Sequence, residues 1–330
     1  MKTRSLGKLE VSAVGFGCMG FSHGYGPSVE RDEAIRLIRH AFDKGCTHFD
    51  TAEGYGNGDN ERLVGEAIAP LRNNVVLATK LRTAKATSGN DTETQVRDHL
   101  AASFERLRTD QIDLYYLHRI DPDVPVEEVA AAMGKLIDEG KIRGWGLSQA
   151  SADEIRRAHE VTPVSAVQSE YSIMERMFEQ NILPLCGEAG IGFVAFSPLA
   201  SGFLSGKVKG GESYEGDDVR RVITRFAPEN IEANQPLLNL IRMFADAKAV
   251  TPAQISLAWM LAKWPFVSPI PGSRKIERID EENLGAADLD LNPHELAAIE
   301  KALASVPIHG NRTDEDIAKL RRATTSNIKG

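Results

Sequence analysis

Along this chain, short apolar runs rich in β-branched and aromatic residues alternate with longer segments whose apolar positions recur every three or four residues. The short runs predict strands at 14–17, 48–50, 75–79, 112–117, 144–147, 166–168, 193–196 and 267–270. The periodic segments predict helices over 31–44, 61–68, 94–107, 126–139, 153–159, 182–189, 253–262 and 275–286. Start and stop signals support them. Thr92 with Gln95, Ser151 with Glu154 and Thr251 with Gln254 fit the capping box, in which two side chains satisfy N–H groups left over at a helix start. Pro252 and Pro293 stand where a first helical residue needs no donor. Gly45, Gly140 and Gly190 stand where a helix ends in the left-handed conformation.

Eight strands alternating with eight helices, without a compositional break, predict one closed parallel (β/α)8 barrel domain spanning 1–330, with a doubly wound open sheet as the alternative. Ahead of it, 4–6 and 9–11 flank Gly7-Lys8 as a small hairpin, and 292–305 forms an extra helix before a polar tail, 306–330. The Gly- and charge-rich stretch 201–235 breaks the rhythm, and loops of that length are usually functional lids or disordered.

Composition narrows the class. The chain has 330 residues, 42% of them hydrophobic and 26% charged, the balance of a soluble globular protein. A net charge of −8 argues against a nucleic-acid or anionic-membrane surface. Three widely spaced cysteines, Cys18, Cys46 and Cys186, suggest neither a disulfide framework nor a zinc cluster. The basic start leads into no apolar leader, and no run approaches the ~18 apolar residues of a membrane span, so a cytoplasmic location is expected.

Gly15, Gly17 and Gly20 match G-x-G-x-x-G after an apolar run, the outline of a dinucleotide fingerprint. That fingerprint works only where the third glycine opens a helix whose N-terminus receives the pyrophosphate. Helical periodicity here begins only at Arg31, so this reading is rejected.

In a (β/α)8 barrel the reactive groups come from the C-terminal ends of the strands. Those ends carry Asp50, Tyr55 in the following loop, Lys80, His118, Ser148, Gln168 and Ser197. An acid, a phenol, an amine and an imidazole from neighbouring units suit proton transfer to a carbonyl. A phenol alone is a sluggish acid near neutrality, a nearby ammonium favours the phenolate, and a carboxylate holds the ammonium in place. An imidazole N–H polarises the carbonyl oxygen, and no metal is required. Taken singly, Asp50 could cap a turn, Lys80 could be solvated and His118 could be a satisfied buried histidine. Only their joint placement favours chemistry.

At these residues the chain resembles the aldo-keto reductase superfamily. The likeness runs through RSLGKLEVSAVGFGCM, FDTAEGYGNGDNERLVGEAI, VLATKL, DLYYLHRID, GKIRGWGLS, AVQSEYS, FVAFSPLASGFLSGK and SPIPGSRKIERIDEENLGAA, in that order. It implies NADPH-dependent reduction of aldehydes or ketones, with Tyr55 as general acid, Lys80 and Asp50 tuning it, and His118 orienting the carbonyl. It implies nicotinamide held by Asp50, Ser148 and Gln168, stacked on Phe196, with Gly17, Cys18 and Met19 close by. Ser197, Pro198, Leu199, Gly202, Leu204 and Lys207 would wrap the pyrophosphate. Gly272, Ser273, Arg274 and Arg278 would hold the adenosine 2′-phosphate, favouring NADPH over NADH, and Glu282 and Asn283 would contact adenine. Gln149 follows Ser148 where asparagine is common in the family, the 278–283 segment is one residue longer than usual, and Trp145 replaces a smaller aliphatic. The expected partner is a small carbonyl compound, and the chain is expected to be monomeric or weakly associated. Two alternatives remain: an NADP(H)-binding regulator with little turnover, like the potassium-channel β-subunits of the superfamily, and a metal enzyme using Asp50, His118 and Glu170.

Overall fold

In the computed structural model, which describes residues 1–87, 89–209 and 211–312, the chain opens with a two-stranded antiparallel hairpin, β1 (Thr3–Leu6) and β2 (Leu9–Ser12). Its two-residue turn places Gly7 at φ 58°, in the left-handed region that only glycine adopts freely. Eight parallel strands follow: β3 (Phe16–Gly17), β4 (His48–Asp50), β5 (Val76–Leu81), β6 (Ile112–Leu117), β7 (Ile142–Ser148), β8 (Ala166–Glu170), β9 (Gly192–Phe196) and β10 (Val267–Pro269). Each pairs with its neighbours in chain order. The Gly15 N–H donates to the Pro269 carbonyl at 2.9 Å and joins the two ends of the sheet. The architecture is the (β/α)8 barrel with an N-terminal hairpin.

The helices α1 (Arg31–Asp43), α2 (Asp59–Ile68), α3 (Thr92–Leu107), α4 (Val126–Asp138), α5 (Ala152–Val161) and α6 (Ile182–Ala189) link successive strands. Between β9 and β10 lie α7 (Pro228–Ala233), α8 (Gln235–Ala247) and α9 (Pro252–Lys263), and α10 (Pro293–Leu303) follows the last unit. Two cores result. One lies between the strands and the helices; the other fills the barrel, where Leu6, Leu9 and Val11 of the hairpin pack on Val76, Leu114, Ala166 and Val194. The hairpin plugs the N-terminal end, which leaves the opposite end as the open mouth. No helix among the described residues is long and apolar enough to cross a membrane.

Most predicted elements are present, and the exceptions have local causes. The box expected at Thr92 is absent: Asp91 caps α3 by accepting from the Thr94 N–H at 2.8 Å, and Gln95 turns away to hold both backbone groups of Ala84. The Ser151 and Thr251 boxes form, and a third, unforeseen one joins Asn292 to Glu295 at the start of α10. The helix expected over 275–286 is instead a π turn, Arg278–Asn283, running into a 3-10 segment, Leu284–Asp288, so the one extra residue widens a turn. Within 201–235 the chain makes short turns and α7. The unpredicted α8 follows, its Leu237, Leu238, Ile241 and Ala245 buried along one face. Trp145 is fully buried and donates to the Thr162 carbonyl at 3.2 Å, a structural role. Residues 313–330 of the expected tail lie outside the described residues.

Candidate active site

Strand alternation sends the side chains of Asp50, Lys80 and Gln168 into the barrel at neighbouring heights. Asp50, the last residue of β4, accepts from Lys80 Nζ of β5 through one oxygen and from Gln168 Nε2 of β8, at 2.8 Å, through the other. Lys80 also donates to the Thr51 carbonyl at 2.7 Å and reaches Tyr55 Oη at 3.4 Å. Both ions are buried, so each depends on the other. Burial alone pushes the Lys80 ammonium toward neutrality, but Asp50 and then Tyr55 more than offset it, and Lys80 is held above its ordinary pKa. It therefore stays charged.

Tyr55 opens a tight turn, Tyr55–Gly58, ahead of α2, and its ring is only half-buried. Lys80 Nζ lies 5.1 Å from the ring centroid, and His118 meets the ring edge-on at 5.8 Å and 84°. His118 follows β6, with its N–H on the Leu81 carbonyl at 2.8 Å and its side chain buried. Burial, and then the charges of Lys80, Arg119 and Arg82, push the imidazole well below its usual pKa. It is neutral at physiological pH and can donate from one nitrogen. Beneath these groups, the fully buried Asn60 joins the first two strand-end loops. It accepts from Thr51 Oγ1 at 2.6 Å and donates to the Cys18 carbonyl at 2.9 Å and to Ser22 Oγ at 3.0 Å.

Around the mouth, Arg119 donates to Ser148 Oγ at 3.3 Å. Gln149 is held at φ 56° with its N–H on the Gln168 carbonyl, and both polar ends of its buried side chain lack a hydrogen-bond partner. Phe196, at the end of β9, has the Arg312 guanidinium 5.0 Å above its ring. Ser197, Ala200, Ser201 and Gly202 all take positive φ, three of them without the freedom of glycine. The Ala200 and Gly202 N–H groups donate back to the Ser197 and Leu199 carbonyls at 2.8 and 3.0 Å, so this stretch folds into a tight turn.

The remaining predicted residues are less uniform. Cys18 is fully buried, and burial followed by the Asp50 charge drives its thiol pKa well up, so its side chain is inert packing. Leu204 and Pro198 are buried, whereas Met19 and Leu199 are half-buried. Gly17 and Gly272 meet at the barrel seam: a Cβ on Gly17 would lie 2.7 Å from the Ile270 carbonyl oxygen, and one on Gly272 would lie 2.7 Å from that of Gly17. Close strand approach is enough to require both glycines. Lys207 pairs with the buried Glu282, and Arg278 stands 4.0 Å from the same carboxylate, so the 197–207 loop and the last unit meet. Ser273 is engaged with the backbone of Lys275 at 3.1 and 3.2 Å. Arg274 donates to the Gly20 and Pro27 carbonyls at 2.7 and 3.0 Å, which leaves one buried nitrogen without a partner. Asn283 Nδ2 is likewise buried and unpartnered. No group of three His, Cys, Asp or Glu side chains among the described residues could hold a metal ion. Glu170 is engaged by Arg225 and Arg312.

Sequence reasoning noted Gln149 only as a departure from the family's asparagine and missed Asn60, Arg119 and Arg312, whose contacts depend on chain segments that meet only in the fold.

A barrel whose mouth gathers this acid, amine, phenol and imidazole is the scaffold of an oxidoreductase class with many solved members. The Aldo/keto reductase family model matches residues 13–304, and the chain belongs to that family. It is 40% identical over 308 residues to a probable aldo-keto reductase 1 of Glycine max, covering 92% of this chain and 88% of that one. Among solved structures it is similar to a glycerol dehydrogenase of Gluconobacter oxydans, with a TM-score of 0.81 at 28% identity, covering 93% and 97% of the two chains. It is also similar to an aldo-keto reductase of Klebsiella pneumoniae in complex with NADPH, with a TM-score of 0.73 at 29% identity, covering 95% and 99%.

Proposed function

We propose that this protein reduces aldehydes or ketones to alcohols with NADPH, using Tyr55 as the general acid. The observation that carries the reading is the chain Asp50–Lys80–Tyr55, in which a buried ion pair ends on a phenol that is half open to the mouth.

The residues present suit a nicotinamide dinucleotide. Gln149, with its buried amide unpartnered, stands beside Ser148 and Gln168 where a carboxamide would be received. The tight 197–202 turn with Lys207 on the same loop suits a pyrophosphate, and Arg274 with Arg278 suits a 2′-phosphate. Bound NADPH supplies a hydride to the carbonyl carbon. The chain's own part concerns the oxygen. The neutral His118 ring and Tyr55 Oη each donate a hydrogen bond to the carbonyl oxygen, which polarises it. Tyr55 then gives up its proton to that oxygen, and Lys80, 3.4 Å below, stabilises the phenolate left behind. Asp50 and the Thr51 carbonyl hold the Lys80 ammonium against the phenol, and Gln168 fixes Asp50. In the oxidation direction the same phenolate takes the proton back.

Tyr55→Phe tests this. NADPH consumption with a reactive aldehyde is expected to fall by about 10²–10⁴, the usual contribution of a positioned acid, while quenching of protein fluorescence by NADPH still reports binding. Turnover close to that of the unmodified protein would remove Tyr55 from the acid role.

A further inference from the structure

Three groups meet the Tyr55 ring as ring or cation–π partners, and two of them, Lys80 on β5 and His118 just after β6, are held by the sheet. Lys80 and His118 are buried and fixed by the sheet. The third is His23, in the loop after β3, whose imidazole lies 6.1 Å from the Tyr55 ring at an interplanar angle of 19°, a stacked pair. That range is typical of favourable ring stacking.

Two anchors locate His23. From within the barrel, Asn60 bonds Ser22 Oγ, and the His23 N–H reaches the Met19 carbonyl at 3.0 Å. From above, Asp217 in the long stretch between β9 and α8 lies 3.3 Å from His23 Nδ1. The Asp217 carboxylate also accepts from the Gly24 N–H at 2.8 Å and the Gly26 N–H at 3.1 Å, and Val219 donates to the Gly24 carbonyl at 3.0 Å. The Gly24 N–H, foremost, holds Asp217 below the ordinary carboxylate range, so Asp217 is an anion throughout the working pH. Gly24 and Gly26 take φ of 81° and 76°, which turns their N–H groups to one carboxylate and would strain any other residue. Thus one side chain from a segment some two hundred positions away grips the loop by three groups, and the imidazole it grips lies on the face of the phenol.

We infer that His23 is a positioning residue for Tyr55 and that Asp217 sets it, so that docking of the 217–219 segment onto the 23–26 loop completes the orientation of the acid. This rests on the reading of Tyr55 as the acid. Lys80 and His118 restrain the phenol from below and from its edge, and His23 is the ring stacked on its half-open face to oppose a swing away from His118. The consequence is a rate effect confined to the proton-transfer geometry, with no part in holding NADPH.

The test is a cycle of H23A, H23F, D217A and H23F/D217A, assayed with saturating NADPH and a reactive aldehyde. H23A is expected to lower kcat by about three- to tenfold, the size of one lost ring pair, with the KM for NADPH unchanged. H23F keeps a stacking ring that needs no carboxylate, so it is expected to recover most of kcat. D217A is expected to lower kcat as H23A does, and to lose that effect in the H23F background, because Asp217 would act through the imidazole. The inference is overturned if H23F is as slow as H23A, or if D217A costs the same in both backgrounds. Y55F separates the two claims: if it retains turnover the acid reading fails, whereas an inactive Y55F beside a fully active H23A overturns the positioning role alone.

Discussion

Two buried charge clusters lie at the C-terminal ends of the barrel strands, and burial does not distinguish them. In one, Lys80 and Asp50 are 0% and 3% exposed; in the other, Arg225 is 3% exposed beside Glu170 and Glu175 at 3% and 4%. Their connections differ. Arg225 bonds Glu170 at 3.2 Å, Glu175 at 2.6 Å and the Met174 carbonyl at 3.1 Å, which stitches the 224–226 turn to the end of β8. Every one of those bonds leads back into the protein. Lys80 instead passes part of its bonding to the Tyr55 phenol, which has one side open to the mouth. Buried charge alone is thus no sign of chemistry; what sets the Asp50–Lys80 pair apart is the phenol at its outward end.

Removing one partner and then both should expose that difference most strongly. Arg225→Met is expected to cost about 3–5 kcal/mol, because a buried cation that bonds both Glu170 and Glu175 is removed, and it should show as a large drop in Tm. Adding Glu175→Gln should recover much of that loss and restore turnover with it, since Arg312 still faces Glu170. Asp50→Asn with Lys80→Met should likewise regain stability while remaining inactive. If both double variants behave alike in turnover, the contrast between the clusters collapses.

Acid separates both clusters from a third kind of buried group. His48, on β4 two residues before Asp50, is fully buried with neither ring nitrogen partnered, and burial lowers its pKa to about 4. The unfolded chain takes up a proton near pH 6.5 that the folded chain refuses. Stability is therefore full above about pH 6.5 and declines toward pH 4, by about 3 kcal/mol across the window. His118, also depressed, adds a loss of the same sign. Urea midpoints between pH 7 and 4.5 should fall, and His48→Gln should flatten the slope; an unchanged slope would acquit His48.

The smallest effect concerns an arginine of mixed allegiance. Arg274 is tied to two backbone carbonyls yet keeps one unpartnered nitrogen. Arg274→Ala is expected to weaken NADPH binding about tenfold or more, the scale of one hydrogen bond to a charged group, and NADH binding much less. Equal losses for the two cofactors would make Arg274 a loop prop only.

Much of this was legible in the order of residues because the barrel is built from local units. Alternating apolar runs mark strands, and strand ends place Asp50, Lys80 and His118 at one mouth whatever the details of packing. Tyr55 followed because its loop is short. What stayed hidden arises from contacts between remote segments. Asp217 beside His23, Arg312 over Phe196 and Arg225 beside Glu170 have no sequence periodicity to announce them. α8 was missed for a different reason: it directly follows the 201–235 stretch, although Pro236 in its first turn and the spacing of Leu237, Leu238, Ile241 and Ala245 are a readable helix signal. The Gly15–Gly20 motif was rightly set aside: glycine serves backbone approach as readily as phosphate binding, and at Gly17 the neighbour is the Ile270 carbonyl oxygen.

The seam between β3 and β10 has a consequence for synthesis. The barrel closes only when the Gly15 N–H finds the Pro269 carbonyl, across a sequence gap of more than 250 residues. Until that late strand is made, the growing sheet carries two open edges, and its interior is covered at one end by the hairpin alone. Open edges of this kind pair readily with other chains. A nascent chain stalled before β10 would therefore be a ready template for aggregation, and the final strand acts as the clasp that turns a sticky ribbon into an edgeless ring.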